Sequence, residues 1–97
     1  MKKAILLDES DNVATLISEA EAGEKVSVIS VEGEVVQEVE AREKIPLLHK
    51  IALKDMSENE DVIKYGAVIG KATKPIMKGN WVHIHNVKSL VLEKAEV

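Results

Sequence analysis

The sequence contains no cysteine and no phenylalanine, and its 97 residues include one tryptophan and one tyrosine. Without cysteine, the chain can form neither disulfides nor thiolate ligands, so any metal site must use histidine and carboxylate side chains. The two aromatic rings are too few for a platform on which nucleic-acid bases stack. The net charge is −4 and the basic residues are scattered, so the positive stripe that binds phosphate backbones is also missing. We therefore expect no nucleic-acid partner.

Long apolar runs are absent as well. No stretch approaches the roughly 20 apolar residues that span a bilayer. The apolar run that follows the basic pair Lys2-Lys3 is too short for a signal sequence. The sequence therefore predicts a cytoplasmic location without a membrane partner, and its length predicts one domain, residues 1–97.

Hydrophobic periodicity predicts one helix and several short strands. The helix is predicted from four apolar residues at helical spacing and a glycine that would cap its C-terminus: Val13, Leu16, Ile17, Ala20 and Gly23. The predicted strands are Ala4–Leu7, a hairpin over Lys25–Val39, Ala67–Thr73, Gly79–Asn86 and Val87–Val97. The predicted core consists of Val13, Leu16, Ile17, Val26, Val28, Leu53, Val68, Ile69, Val82 and Ile84.

The three histidines are the main candidates for chemistry. His83 and His85 are two residues apart in the segment Gly79–Asn86, so in a strand both imidazoles would point to one face. His49 stands beside Lys50 in an otherwise apolar run. A pair at this spacing and a distant third imidazole can bind a divalent metal, but solvated surface histidines or hydrogen-bonded core histidines have the same pattern. The spacing leaves these interpretations open.

A short internal repeat bears on this question. Gly23–Val28 and Gly79–Ile84 share the pattern Gly-x-x-Val-x-aliphatic, which predicts a turn that leads into a strand in both places. Ser27 occupies the position that corresponds to His83, so the strand does not need an imidazole in order to form. Gly66 and Gly70 flank another short strand, where glycine often marks a bulge or a close approach of backbone or ligand.

Several motifs together resemble the SAF domain of the altronate and galactarate dehydratases, which also occurs as the small subunit of sulfolactate sulfo-lyase. These motifs are Asp11-Asn12-Val13-Ala14-Thr15, Ala22-Gly23-Glu24-Lys25-Val26, Ile45-Pro46, His49-Lys50-Ile51-Ala52-Leu53, Lys64-Tyr65-Gly66, Ile69-Gly70-Lys71-Ala72-Thr73 and Gly79 through Asn86. The sequence departs from the family pattern at Leu48, where the family usually has glycine.

The resemblance implies a mostly β fold, a compact β-clip of one domain with one or two short helices. It also implies the small subunit of a sugar-acid hydro-lyase such as altronate dehydratase, inactive alone and completed by a large catalytic subunit. The alternative is a non-catalytic module that binds a carbohydrate acid or a partner. The implied catalytic residues are His49, Lys50, Lys64 and Tyr65, the implied substrate-binding residues are Gly66 and Asn86, and the implied ligands of a divalent metal such as Fe²⁺ are His83 and His85.

Overall fold

The computed structural model of the protein describes residues 2–90, and the elements of this part of the chain are nine β-strands. The strands are β1 (Lys2–Leu6), β2 (Val13–Leu16), β3 (Lys25–Ser30), β4 (Val35–Glu40), β5 (Lys50–Ala52), β6 (Asp61–Lys64), β7 (Ala67–Ala72), β8 (Trp81–Val82) and β9 (Val87–Ser89). The mostly β fold and the hairpin of β3 and β4 are confirmed. Of the predicted strand Val87–Val97, residues 91–97 lie outside the described residues.

The strands form two sheets. The larger sheet has the order β4-β3-β1-β2-β5-β8, in which β1 and β3 are parallel and all other neighbours are antiparallel. The smaller sheet has the antiparallel order β6-β7-β9. One cluster of buried side chains lies on the larger sheet, and a second cluster joins Val13 and Val82 of the larger sheet to Val62 and Ala72 of the smaller one. This second cluster holds the two sheets together.

The predicted helix is wrong, because residues 13–16 form strand β2. This strand lies inside the larger sheet and pairs with β1 on one side and β5 on the other. Ile17, which a helical stripe would bury, is 48% exposed. Eight residues are too few for periodicity to separate a helix from a buried strand, and β-branched Val13 and Thr15 favour the strand. Gly23 has the predicted positive φ, 88°, but it belongs to a turn between strands.

The predicted core is also wrong for three residues. Ile17, Val68 and Ile84 are exposed, and Ile84 reaches 75% because β8 ends at Val82 and the chain turns away from the sheet. Ile69 is partly buried against the second cluster. The other predicted core residues are buried: Val13, Leu16, Val26, Val28, Leu53 and Val82.

Four five-residue turns of one shape precede β3, β5, β6 and β8. We call them the lead-in turns, and they comprise residues 20–24, 45–49, 56–60 and 76–80. The buried first residues of these turns pair as isolated β-bridges, Ala20 with Ile45 and Met56 with Ile76. In each turn the N–H of the fifth residue donates to the carbonyl of the second, at 2.9 to 3.1 Å. The fourth residue has a positive φ in every turn, and these residues are Gly23, Leu48, Asn59 and Gly79. The short sequence repeat is therefore confirmed as a turn that leads into a strand, and the structure contains two further copies.

Three of the four lead-in turns are closed a second time by a side chain. The side-chain oxygens of Glu24, Glu60 and Asn80 accept the N–H of the second residue at 2.7, 3.0 and 2.8 Å. In the remaining turn the second residue is Pro46, which has no N–H to donate. His49, the fifth residue of that turn, therefore has no such N–H to accept.

The loop after β1 binds the hairpin of β6 and β7. The Asp11 carboxylate accepts the backbone N–H groups of Tyr65 and Gly66, at 2.8 and 2.9 Å. These two residues both have positive φ and form the two-residue turn of that hairpin. The Asn12 carboxamide accepts the N–H of Ile63 and donates to the carbonyl of Asp61. The loop thus orients the smaller sheet against the larger one.

Candidate functional site

His49 and His83 come together because of the register between β5 and β8. Lys50 pairs with Val82 and Ile51 pairs with Trp81, so the next antiparallel pair places His49 opposite His83. The centroids of the two imidazole rings are 4.5 Å apart. Two histidines that are 34 positions apart in the sequence therefore share one edge of the larger sheet.

Trp81 contacts all three histidine rings. Its ring centroid lies 5.5 Å from His49, 5.7 Å from His83 and 4.9 Å from His85, and it is nearly parallel to the His83 ring at 9°. We call these four residues the histidine cluster. The sequence predicts that His83 and His85 share a strand face, but both lie beyond the end of β8, in a turn. They are brought together by this turn around Trp81, and not by the pleat of a strand.

The Trp81 indole N–H donates a hydrogen bond to Nδ1 of His49 at 3.0 Å. The backbone of Trp81 is held as well, since its N–H donates to the Glu43 carboxylate at 3.1 Å and its carbonyl accepts the Asn86 amide at 2.8 Å. These bonds fix the tryptophan at both peptide groups and orient the ring of His49.

Asn86 closes the turn that carries His83 and His85. Its side-chain oxygen accepts the His83 N–H at 2.9 Å, its own N–H donates to the His83 carbonyl at 3.1 Å, and its side chain is buried. The structure thus gives Asn86 a role in shaping the site. Its role as a substrate ligand stays a prediction.

Lys50 lies beside the histidine cluster at the start of β5. Burial lowers the pKa of Lys50, and the positive charge of Lys64 at the end of β6 lowers it further. Burial also lowers the pKa of His83, with smaller contributions in the same direction from His49, Lys50 and His85. Both shifts favour the neutral forms, which accept protons.

An open cavity of about 210 Å³ adjoins this group and is lined by Lys50, Ile69, His83, Ile84, Val87 and Ser89. A larger cavity of about 490 Å³ lies beside the turn of the β3–β4 hairpin, where four carboxylates line it: Asp8, Glu9, Glu32 and Glu34. These negative charges oppose the binding of an acid anion. The smaller cavity, with lysine and histidine in its wall, suits an anion better.

The other predicted site residues occupy the β6–β7 hairpin. Lys64 ends β6 and its charge reaches Lys50. Tyr65 and Gly66 form the tip of the hairpin, where the Tyr65 side chain is 75% exposed and both backbone N–H groups are bound by Asp11. The structure therefore groups His49, Lys50, Lys64, His83 and His85, and it places Tyr65 and Gly66 at a turn outside the histidine cluster. The catalytic role predicted for Tyr65 and the binding role predicted for Gly66 stay predictions.

Two residues that organise this site are not among the predicted site residues. Trp81 is the one tryptophan of the sequence and stands within two residues of His83, and the alternation of a strand would place both on one face. Glu43 accepts hydrogen bonds from the Asn80 side chain and from the Trp81 N–H, and no local pattern distinguishes it from the other surface glutamates.

In the described part of the chain, the predicted metal ligands His83 and His85 are not joined by further ligands into a complete site. Within residues 2–90, no group of three or more His, Asp or Glu side chains is arranged to hold a metal ion. In addition, the Trp81 N–H occupies the Nδ1 lone pair of His49. The described part of the chain also has no helix that is long and apolar enough to cross a membrane.

Comparison with known proteins supports one family. The sequence model of the "Altronate/galactarate dehydratase SAF domain" matches residues 2–90. The "(2R)-sulfolactate sulfo-lyase subunit alpha" of Chromohalobacter salexigens is 35% identical over 86 residues, which cover 88% of this chain and 92% of that protein. The "Altronate dehydratase" of Bacillus subtilis is 34% identical over 89 residues, which cover 92% of this chain and 17% of that enzyme. The chain thus spans nearly all of one relative and a small part of the other.

Proposed function

Because the chain belongs to the altronate/galactarate dehydratase SAF-domain family, we propose that it is the small subunit of a sugar-acid hydro-lyase such as altronate dehydratase. In this proposal it acts in the cytoplasm and contributes polar groups to a composite active site with a large catalytic subunit. The relative that matches over most of its length is itself named a subunit, which supports a partner chain.

The observation that carries the proposal is that Lys50 and His83 line one small cavity and that the His49 ring packs against His83. Elimination from a hydroxy acid requires a base that removes the proton beside the carboxylate and an acid that protonates the departing hydroxyl. The pKa of Lys50 is lowered, which favours the form that accepts a proton. The adjacent Lys64 provides positive charge for the substrate carboxylate.

A divalent metal in this site would take ligands from both chains. His83 and His85 are this chain's proposed contribution, because both rings lie at Trp81 and neither nitrogen of their side chains is required by the turn hydrogen bonds. Two imidazoles do not complete a metal site, so the remaining ligands belong to the proposed large subunit. When bound, the metal would polarise the oxygens of the hydroxy acid.

The proposal is tested by reconstitution. The chain is co-expressed with a large dehydratase chain from the same genome, and the complex is assayed with altronate, galactarate and sulfolactate. We expect turnover of one hydroxy acid by the complex and none by the isolated small chain. His83→Ala and His85→Ala should each reduce turnover by about 100-fold, while the free energy of unfolding changes by only about 0.5 kcal/mol.

A matched control is Glu32→Ala, which removes an exposed polar side chain at the turn of the β3–β4 hairpin and should leave turnover unchanged. If the double variant of His83 and His85 retains full activity in the complex, the chain is a non-catalytic module that binds a carbohydrate acid or a partner. Turnover by the isolated small chain would also contradict the subunit proposal.

A further inference from the structure

We propose that Trp81 is a positioning residue that holds His49 in the neutral tautomer with its proton on Nε2, so that His49 is a hydrogen-bond donor and not a metal ligand. The identity of the acceptor, an oxygen of the substrate, rests on the proposed function. The tautomer itself does not rest on it, because it follows from the geometry of this chain.

The direction of the hydrogen bond is fixed by chemistry. An indole N–H can only donate, so Nδ1 of His49, which lies 3.0 Å away, must accept. A neutral imidazole carries one proton, and that proton must then be on Nε2. In this form Nδ1 directs its lone pair at Trp81 and Nε2 carries hydrogen. Neither nitrogen has a lone pair for a cation, and the Nε2–H is a donor for an oxygen.

Trp81 is held firmly enough to impose this choice. Its backbone N–H and carbonyl are bound by Glu43 and Asn86, and its neighbour in β8 is fully buried Val82. The indole also packs against the core of the larger sheet and stacks on His83. These contacts fix the position of the indole donor beside His49.

The backbone of His49 is held in place by hydrogen bonds, like that of Trp81. The His49 carbonyl accepts the Leu16 N–H at 2.9 Å and its N–H donates to the Pro46 carbonyl at 3.1 Å. The corresponding side chains of the other lead-in turns accept a backbone N–H, and Pro46 offers none. The imidazole of His49 is therefore available to Trp81 on one nitrogen and to a ligand on the other.

The first test reads the tautomer directly. Long-range ¹H–¹⁵N correlation spectra of the full chain are recorded at about pH 8, so that the tautomers of neutral imidazoles are observed. We expect His49 to show an unprotonated Nδ1 and a protonated Nε2. Trp81→Phe keeps an aromatic ring but removes the donor, and it should let His49 populate both tautomers. A protonated Nδ1 in the wild-type spectrum overturns the proposal, and this spectrum decides the question even if the variant does not fold.

The second test addresses the role of Nε2–H. In the reconstituted complex, the amide nitrogen of His49→Gln can reach the position of Nε2, whereas that of His49→Asn reaches the position of Nδ1. We expect the Gln variant to retain at least about tenfold more activity than the Asn variant. Trp81→Phe should lower kcat by about 10- to 100-fold and change KM less, as the loss of a residue that orients a site residue does. If His49→Asn lowers kcat, full kcat in Trp81→Phe contradicts the positioning role.

The third test separates a donor from a ligand. Zn²⁺ alone is titrated into the isolated chain, and its affinity for the wild type should equal its affinity for His49→Gln. A tenfold weaker Kd in that variant overturns the exclusion of His49 as a ligand. If turnover of the complex proves independent of His49 while the tautomer is as described, the failure lies in the proposed function and not in the role of Trp81.

Discussion

Leu48 has a backbone conformation that its branched side chain disfavours. Its φ is 67°, in the left-handed region, at a position where two other lead-in turns have glycine and the third has asparagine. This conformation costs a branched L-residue about 1 kcal/mol. The Leu48 side chain is 67% exposed, so little burial compensates for the cost. Glycine would fit this backbone without strain.

We therefore predict that Leu48→Gly raises the free energy of unfolding by about 1 kcal/mol. Urea denaturation of the isolated chain measures this change. Leu47→Gly is the control, because Leu47 is similarly exposed but has no positive φ, and it should lower the free energy of unfolding by about 0.5–1 kcal/mol. Equal losses in both variants would show that the backbone at Leu48 is not strained.

At the scale of elements, the lead-in turn before β6 responds to pH through Glu60. Hydrogen bonds from Lys54 and from the Ser57 N–H lower the pKa of Glu60 below its usual value of 4.5. A carboxylate with a lowered pKa in the folded state stabilises the fold above its unfolded pKa, and this contribution is lost as pH falls through the folded pKa.

We predict that Glu60→Gln reduces the loss of stability between about pH 5 and pH 3, because the glutamine amide does not titrate. Thermal unfolding at several pH values measures the slope. Glu58→Gln in the same turn is the control, since Glu58 is exposed and does not close the turn. An unchanged slope in Glu60→Gln would contradict the proposed contribution of Glu60.

The elements also show what the sequence could predict and what it could not. Alternation over Lys25–Val39 is long enough to identify the hairpin, and the glycine turns before β3 and β8 are local signals. The pattern of residues 13–16 led to the wrong prediction of a helix. A short strand that pairs on both sides buries consecutive residues, and this removes the apolar–polar alternation by which a strand is identified. The proximity of His49 and His83 depends on the register of β5 and β8, which is a non-local property. The sequence identifies these histidines as candidates but does not pair them.

On the scale of the whole molecule, Asp11 is a main link between the two sheets. Its carboxylate is 8% exposed and accepts two N–H groups from the hairpin of the smaller sheet. Hydrogen bonds to a charged acceptor contribute about 1.5–3 kcal/mol each. Asp11 precedes the segment predicted as a helix, and the structure shows that its carboxylate binds a hairpin turn instead.

We predict that Asp11→Ala lowers the free energy of unfolding by about 2–4 kcal/mol, because two N–H groups of the turn lose their acceptor. Urea denaturation measures the loss, and amide hydrogen exchange should be faster in β6 and β7 than in β1 and β3. Glu9→Ala removes an exposed carboxylate from the same loop and should change stability by less than about 0.5 kcal/mol. Uniformly faster exchange in all strands would contradict a link that acts on the smaller sheet.

The repetition of the lead-in turn has a consequence for how this protein could gain or lose its chemistry during evolution. Turns 45–49 and 56–60 share one backbone shape, yet one presents an imidazole and the other a carboxylate that closes the turn. Exchanging Pro46 and His49 for serine and glutamate, the residues at the same positions of turn 56–60, would restore the side-chain closure and leave the strands in place. In the proposed function, these two substitutions would remove one polar group from the composite site and leave the fold unchanged. Descendants with and without that group can therefore share this scaffold without any change in its architecture.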